Sequence, residues 1–258
     1  MGVNTNVAAR TGRQPSKVSR LENAKTPPSD DDVKAWCAAC QAPEQAPDLI
    51  AASRIAEQMN VQWRRVQETG LRQLQESRTA VHRQTTTQRV YSSSVVPGLL
   101  QAAEYATALL TSITQFHGTP NDVDAAVKAR PARSQILHEA GRTFALVIEE
   151  SVLRHVVGDA ATMAGQLGHI LAAMAYPAVS IGVVPAGTPR QMWTVETFSV
   201  FDEDRAYVEL LTAAVSVTEP REVAQYLSAF REYAALAVHG AQARALVTSA
   251  IDALGESA

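Results

Sequence analysis

The chain has 258 residues, 46% of them hydrophobic and 19% charged, and a formal charge of −3. That composition excludes a mainly disordered chain, and the near-neutral balance excludes a uniformly basic nucleic-acid coat. The average conceals an asymmetry: residues 1–90 carry 13 Lys and Arg against 9 Asp and Glu, net +4, whereas residues 91–258 carry 10 against 17, net −7.

A basic front and an acidic back predict two parts with different partners, and the length suits one large domain beside a small one. No apolar run reaches the roughly 20 residues of a membrane span; the longest candidate, 170–184, is interrupted by Pro177 and Gly182. The first six residues hold no apolar signal core, so a cytoplasmic protein without membrane contact is expected.

In chain order, residues 4–10 read as a short helix and Gly12 as a left-handed turn. Pro15 suits the first turn of a second helix, where its missing N–H costs nothing, and Ser16 to Glu22 continue it. Thr26-Pro27-Pro28 stops that helix. Ser29 then caps a third, with Asp30, Asp31 and Asp32 on its positive end. Cys37 and Cys40 lie on this third helix. With no His nearby they supply half a zinc site at most, so they read as small core residues and no metal is expected.

Pro43 and Pro47 mark a linker. Asp48 to about Arg83 follows as a long helical candidate, with Leu49, Ile50, Ile55, Met59, Val66 and Leu71 near helical spacing. Beyond it strands are expected over 85–91, 143–148 and 179–184, and a hairpin over 195–211 turning at Asp202-Glu203-Asp204. Helices are expected over 99–113, 122–139, 152–156, 160–175, 219–238 and 241–254. The fold class is therefore α+β, or α/β. A small helix-turn-helix domain (1–43) and a connecting helix (44–84) precede a mixed domain (85–258).

The front of the chain carries the most specific pattern. A DNA-binding helix-turn-helix needs a small residue where its helices cross, met by Ala8, and Gly in the turn, met by Gly12. It needs apolar anchors, met by Val7, Val18 and Leu21. Gln14, Ser16, Lys17, Ser19 and Arg20 then face outward, and these are residue types that reach base edges and phosphates in a major groove. Five positive charges and one negative within residues 1–28 supply the attraction to duplex DNA.

This stretch, with its continuation through Glu22-Asn23-Ala24-Lys25 and Pro28 to Trp36, resembles the XRE-type helix-turn-helix regulators of actinobacteria. The rest is similar to the branch of that family with a C-terminal domain of unknown function, found in antitoxin-like and developmental (WhiJ-like) regulators. The resembling pieces are Trp63-Arg64-Arg65, Val96 to Ala106, Ala129-Arg130, Glu150 to Arg154, Gln166-Leu167 and Tyr207-Val208-Glu209. Relatives carry one helix more before the motif, so the first helix of the bundle is expected to be missing here.

The larger domain shows no Gly-rich phosphate loop, no G-x-S-x-G, no H-E-x-x-H and no dinucleotide fingerprint, so no cofactor is expected. Glu150 and Arg154 at i,i+4 read either as a surface ion pair or as a pocket rim. Tyr207 and Glu209 share one face of a strand-like run. Trp193, in the loop after Pro185, reads as a cover over the core or a ligand contact. With Tyr105 these residues are the ligand-pocket candidates, and Glu150, Arg154 and Glu209 the catalytic ones if the protein is an enzyme.

The leading expectation is a homodimeric transcriptional regulator that reads double-stranded DNA and senses a small molecule or a partner protein. Two alternatives stand beside it. One is a small-molecule-processing enzyme derived from such a regulator after loss of DNA binding; the other is an antitoxin-like protein that binds a small partner protein.

Overall fold

The structure is a computed structural model that describes residues 8–53, 81–119, 122–128, 130, 134–211 and 214–255. The chain divides into two compact units, Met1–Gln62 and Trp63–Ala258. Val7, most of the expected connecting helix and Trp63-Arg64-Arg65 lie outside the described residues.

In the first unit a helical segment over 8–11 ends at Gly12, whose φ is +65°. The Arg13 N–H donates to the Ala8 carbonyl at 3.2 Å, closing the helix end by a six-to-one bond that a left-handed residue permits. Helix α1 (Pro15–Glu22) and helix α2 (Asp30–Ala39) follow, then a 3₁₀ turn (Pro43–Gln45) and a helical stretch over 46–53. Ser29 and Asp32 form the reciprocal cap expected at the start of α2. Ala8 and Val18 are buried as expected, and Val33, Cys37 and Ala46 gather with Ile50 in a small apolar cluster. Cys40, expected in the core with Cys37, is instead exposed at the end of α2, where the helix has already stopped.

The second unit is built on a six-stranded sheet in the order β3-β2-β1-β4-β5-β6. The strands are β1 (Thr87–Ser92), β2 (Thr143–Glu149), β3 (Val179–Val184), β4 (Phe198–Phe201), β5 (Arg205–Glu209) and β6 (Ala214–Val217). β1, β2 and β3 run parallel; β4, β5 and β6 add antiparallel. The α+β class holds, and β6 is a strand the sequence pattern did not announce.

The helices are α3 (Ala103–His117), α4 (Val123–Lys128), α5 (Glu150–Arg154), α6 (Ala160–Ala173), α7 (Pro220–Leu236) and α8 (Gly240–Gly255). Several expected helices start or end elsewhere, the one over 152–156 being Glu150–Arg154. Residues 98–100 form a 3₁₀ turn before α3, and of the helix expected over 122–139 the described residues show α4, helical residues at 130 and 134, and a 3₁₀ turn, Gln135–His138.

Side-chain alternation sorts the sheet into two cores. Val90, Leu146, Ile148, Ile181 and Val183 face α3, α5, α6 and α8, where Tyr105, Leu153, Leu167 and Val247 meet them. Tyr91, Val147, Val184, Phe198, Val200 and Val208 face α7 through Val223, Phe230 and Tyr233. Val238 pairs with Val183 beyond β3 at 2.8 and 2.9 Å. Gly182 makes that approach sterically feasible: a Cβ there would lie 2.9 Å from the Ala237 Cβ and 2.6 Å from the His239 ring.

Candidate DNA-reading face and the strap over the sheet

In the first unit the second helix of the motif, α1, presents Gln14, Ser16 and Arg20 exposed, with Lys17 and Ser19 half-buried. Gln14 is the N-cap residue, yet its side chain makes no capping bond. Lys17 is placed differently from a free outward reader: its ammonium donates to Asp32 Oδ1 at 2.7 Å, and Arg13 Nε stands 2.9 Å from the same oxygen. The other oxygen, Oδ2, accepts from the Ser29 amide at 3.1 Å and the Ser29 hydroxyl at 2.7 Å. Asp32 is 1% exposed. Burial pushes its pKa up, but the bonds from Lys17 and Ser29 and the charge of Lys17 outweigh that and hold it down at about 2.

In the second unit the Pro97 to Ala106 run turns out to be scaffold. Gln166 of α6, fully buried, accepts from the Ala102 amide at 2.7 Å and donates to the Leu100 carbonyl at 2.7 Å. Gln101 donates to the Val96 carbonyl at 2.6 Å, and the Tyr105 hydroxyl accepts from the Val96 amide at 3.2 Å. Tyr105 is thus a buried post under this loop, its hydroxyl pKa raised by burial. One side chain on α6 satisfies both ends of a turn, which accounts for Gln166-Leu167 and Pro97 to Ala106 occurring together.

The carboxylates at the end of β2, Glu149 and Glu150, gather polar partners from three parts of the second unit. Ligand sites in open sheets favour this carboxyl end of parallel strands. Glu149, buried, accepts from the Tyr91 hydroxyl at 2.8 Å and from both Arg190 terminal nitrogens at 2.8 and 2.5 Å. Hydrogen bonding to Glu149 raises the Arg190 pKa. Burial, then Glu149, pushes the Tyr91 hydroxyl far up, so both partners stay protonated. The Tyr233 ring stacks on Tyr91 at 3.8 Å, and its hydroxyl donates to the Trp193 carbonyl at 2.7 Å.

Glu150 accepts from Arg154 at 2.7 Å and from the Ala186 amide at 2.8 Å. The amide bond, against burial and with help from Arg154, lowers its pKa. It is a buried acid that holds two elements, where a surface pair or a pocket rim was expected.

These contacts fasten residues 185–197, the connection from β3 to β4, across the ends of β2 and β1. Ser93 completes the fastening by donating to the Val195 carbonyl at 2.9 Å and the Thr197 hydroxyl at 3.2 Å. Trp193 covers no core: its side chain is 74% exposed while its carbonyl is held.

Tyr207 is half-buried and Glu209 exposed, on the sheet face opposite Ala206 and Val208. The register sets Glu209 level with Ser92 and Ile148, so β5 lies three strand spacings from β2, about 14 Å. Glu150 and Arg154 come together; Glu209 and Tyr207 do not join them. Sequence reasoning passed over Arg190 and Tyr91, whose partner Glu149 is 41 and 58 residues away. The doubled acid Glu149-Glu150, where the apolar run 143–148 ends, is the sequence signal that could have pointed to them. Among the described residues no group of three or more His, Cys, Asp or Glu is arranged to hold a metal ion. No helix among them is long and apolar enough to cross a membrane.

Comparison with known proteins agrees with this division. Residues 5–49 match the model of a helix-turn-helix domain. The solved structure of TrmBL2, an archaeal chromatin protein described as showing a novel mode of DNA binding, is 12% identical over 87% of this chain and 82% of that one. Its TM-score of 0.33 is too low for the likeness to carry an argument. No curated protein matches the chain. Residues 60–249, nearly three quarters of the sequence, match the domain of unknown function DUF5753, and the chain belongs to that family, with a helix-turn-helix domain at its front.

Proposed function

We propose that the protein is a DNA-binding transcription regulator of the XRE-like kind. Its first unit reads duplex DNA and its second unit responds to a ligand or a partner protein. The observation that carries this reading is the helix-turn-helix itself: Gly12 at φ +65°, Ala8 and Val18 buried behind it, and Gln14, Ser16 and Arg20 exposed along one helix. Arg and Gln form bidentate bonds to guanine and adenine edges, and Ser and Lys serve phosphates or either base.

Reading paired half-sites takes paired readers, so the working form in this proposal is a homodimer, with residues 44–84 joining reader to sensor. The sensing part rests on the strap over residues 185–197, which meets the carboxyl ends of the parallel strands. The actinobacterial, WhiJ-like branch is the kinship this proposal favours.

The test is selection from a random-sequence duplex library by the full chain, followed by titration of the selected duplex at several salt concentrations. Binding should weaken steeply as salt rises. Arg20→Ala should cost about 1–3 kcal/mol on the selected duplex and relax the preference at one base position. A chain that enriches no duplex is not a DNA-binding regulator.

A further inference from the structure

Asp32 belongs to no base-reading set and lies on α2, outside the reading helix. It is nevertheless the one carboxylate among the described residues that touches two cations of the reading motif, and it divides its oxygens between two tasks. Oδ2 closes the cap with the Ser29 amide and hydroxyl, while Oδ1 faces the Lys17 ammonium at 2.7 Å and Arg13 Nε at 2.9 Å. Arg13 sits in the turn and Lys17 in the first turn of α1, so the two cations flank the exposed residues Gln14 and Ser16.

Both cations keep part of their side chains open, 31% for Arg13 and 38% for Lys17. An ammonium has three donors and a guanidinium five, so one carboxylate oxygen leaves each with hydrogen-bonding capacity. With Asp32 the two cations keep one net positive charge in a fixed place. Two loose cations would carry two charges over a range of places.

Resting on the DNA-reading function, we propose that Asp32 is a positioning residue for DNA recognition. It holds Arg13 and Lys17 as a fixed phosphate-contacting pair on either side of Gln14 and Ser16, and thereby sets the register in which α1 meets the bases. Lys17 moves by this argument from the base-reading set to the backbone-contacting set. Phosphate contacts fix register without reading sequence, and a register held rigidly is what lets Gln14, Ser16 and Arg20 discriminate. Tethering also limits affinity for any DNA, because Asp32 repels phosphate and restrains both cations.

The experiment uses the full chain, a duplex selected by the wild type and a scrambled duplex of the same composition. Asp32→Asn should bind the scrambled duplex more tightly than wild type does. It should lose at least tenfold in the ratio of selected to scrambled affinity, and it should steepen the log–log salt slope by about one. A carboxylate with a purely structural role would instead lower both affinities by one factor and leave the ratio intact. A ratio within twofold of wild type, with hydrogen exchange showing residues 15–39 folded, overturns the proposal.

If Asp32→Asn does not fold, Lys17→Gln decides. The proposal requires both affinities to fall, the selected duplex's further than the scrambled one's because the register loosens, and the slope to flatten by about one; an equal fall in both overturns it. A change confined to the selected duplex makes Lys17 a base reader and overturns it. A wild type that binds neither duplex sinks the regulator reading itself, an outcome separate from either of these.

Discussion

The two units use buried carboxylates under opposite circumstances. In the first unit the apolar cluster among the described residues is small, Val33, Cys37 and Ala46 with Ile50, and Asp32 ties the turn and α1 to α2. In the second unit two large apolar cores flank a sheet, and Glu149 and Glu150 lie at its rim, fastening a connection that gives one core only the half-buried Met192 and Val195. A small bundle buries a small fraction of its surface and depends on polar anchors for its shape. A large sheet folds on its cores and can spend polar anchors on a single segment.

The sharpest way to break this contrast is Glu149→Ala. It leaves Arg190 and the Tyr91 hydroxyl without their shared acceptor and should destabilise the second unit by about 3–5 kcal/mol, as removal of one partner from a buried ion pair does. Denaturant unfolding of the full chain measures the loss. Hydrogen exchange should show it beginning in residues 185–197. A loss spread evenly over the sheet would mean that the cores, too, depend on the rim.

Gly182→Ala comes next. The added Cβ meets Ala237 and His239, and the cost should be about 1–3 kcal/mol, seen as a lowered Tm with opening at the Val183–Val238 pairing. Because this change touches packing alone, the first unit should keep its exchange rates.

Ser29→Ala is a smaller change and acts on the other side of the comparison. It should cost the first unit about 1 kcal/mol by loss of the cap. Acid should act on that unit more than on the second, where Glu150 also has a lowered pKa but two large apolar cores hold the sheet. The Asp32 pKa is lowered by folding to about 2, so its stabilising contribution is complete above the ordinary carboxylate range and fades as pH falls from about 4 towards 2. Segment-resolved hydrogen exchange between pH 5 and pH 2.5 should show residues 15–39 loosening as the pH drops. Equal acid resistance in the two units would erase the distinction.

Most of the fold was legible in the sequence because its signals are local. The 179–184 strand was placed to the residue by an apolar β-branched run, and the Ser29 cap by its spacing to Asp32. β6 was not, because Ala214-Val215-Ser216-Val217 is short and every residue is half-buried, so no alternation distinguishes its faces.

The site was legible only where partners are near in sequence. Glu150 and Arg154 sit four apart and were paired. Glu149 with Tyr91 and Arg190 is a contact made by the register of β1 against β2 and by the path of the strap, and no local pattern encodes either. Trp193 shows the limit in another form: an aromatic residue in a Pro-rich loop reads as a cover, but the loop fastens itself by a main-chain carbonyl and turns the ring outward.

The strand order has a mechanical consequence for that same loop. β3 ends and β4 begins at one rim, three strand spacings apart, so 13 residues bridge about 14 Å that a fully extended segment would overshoot threefold. The surplus length is taken up by its fastenings to Glu150, Glu149, Tyr233 and Ser93. Undoing any one of them lengthens the leash without cutting it, and both ends of the sheet's parallel half stay joined while the exposed Trp193 gains reach.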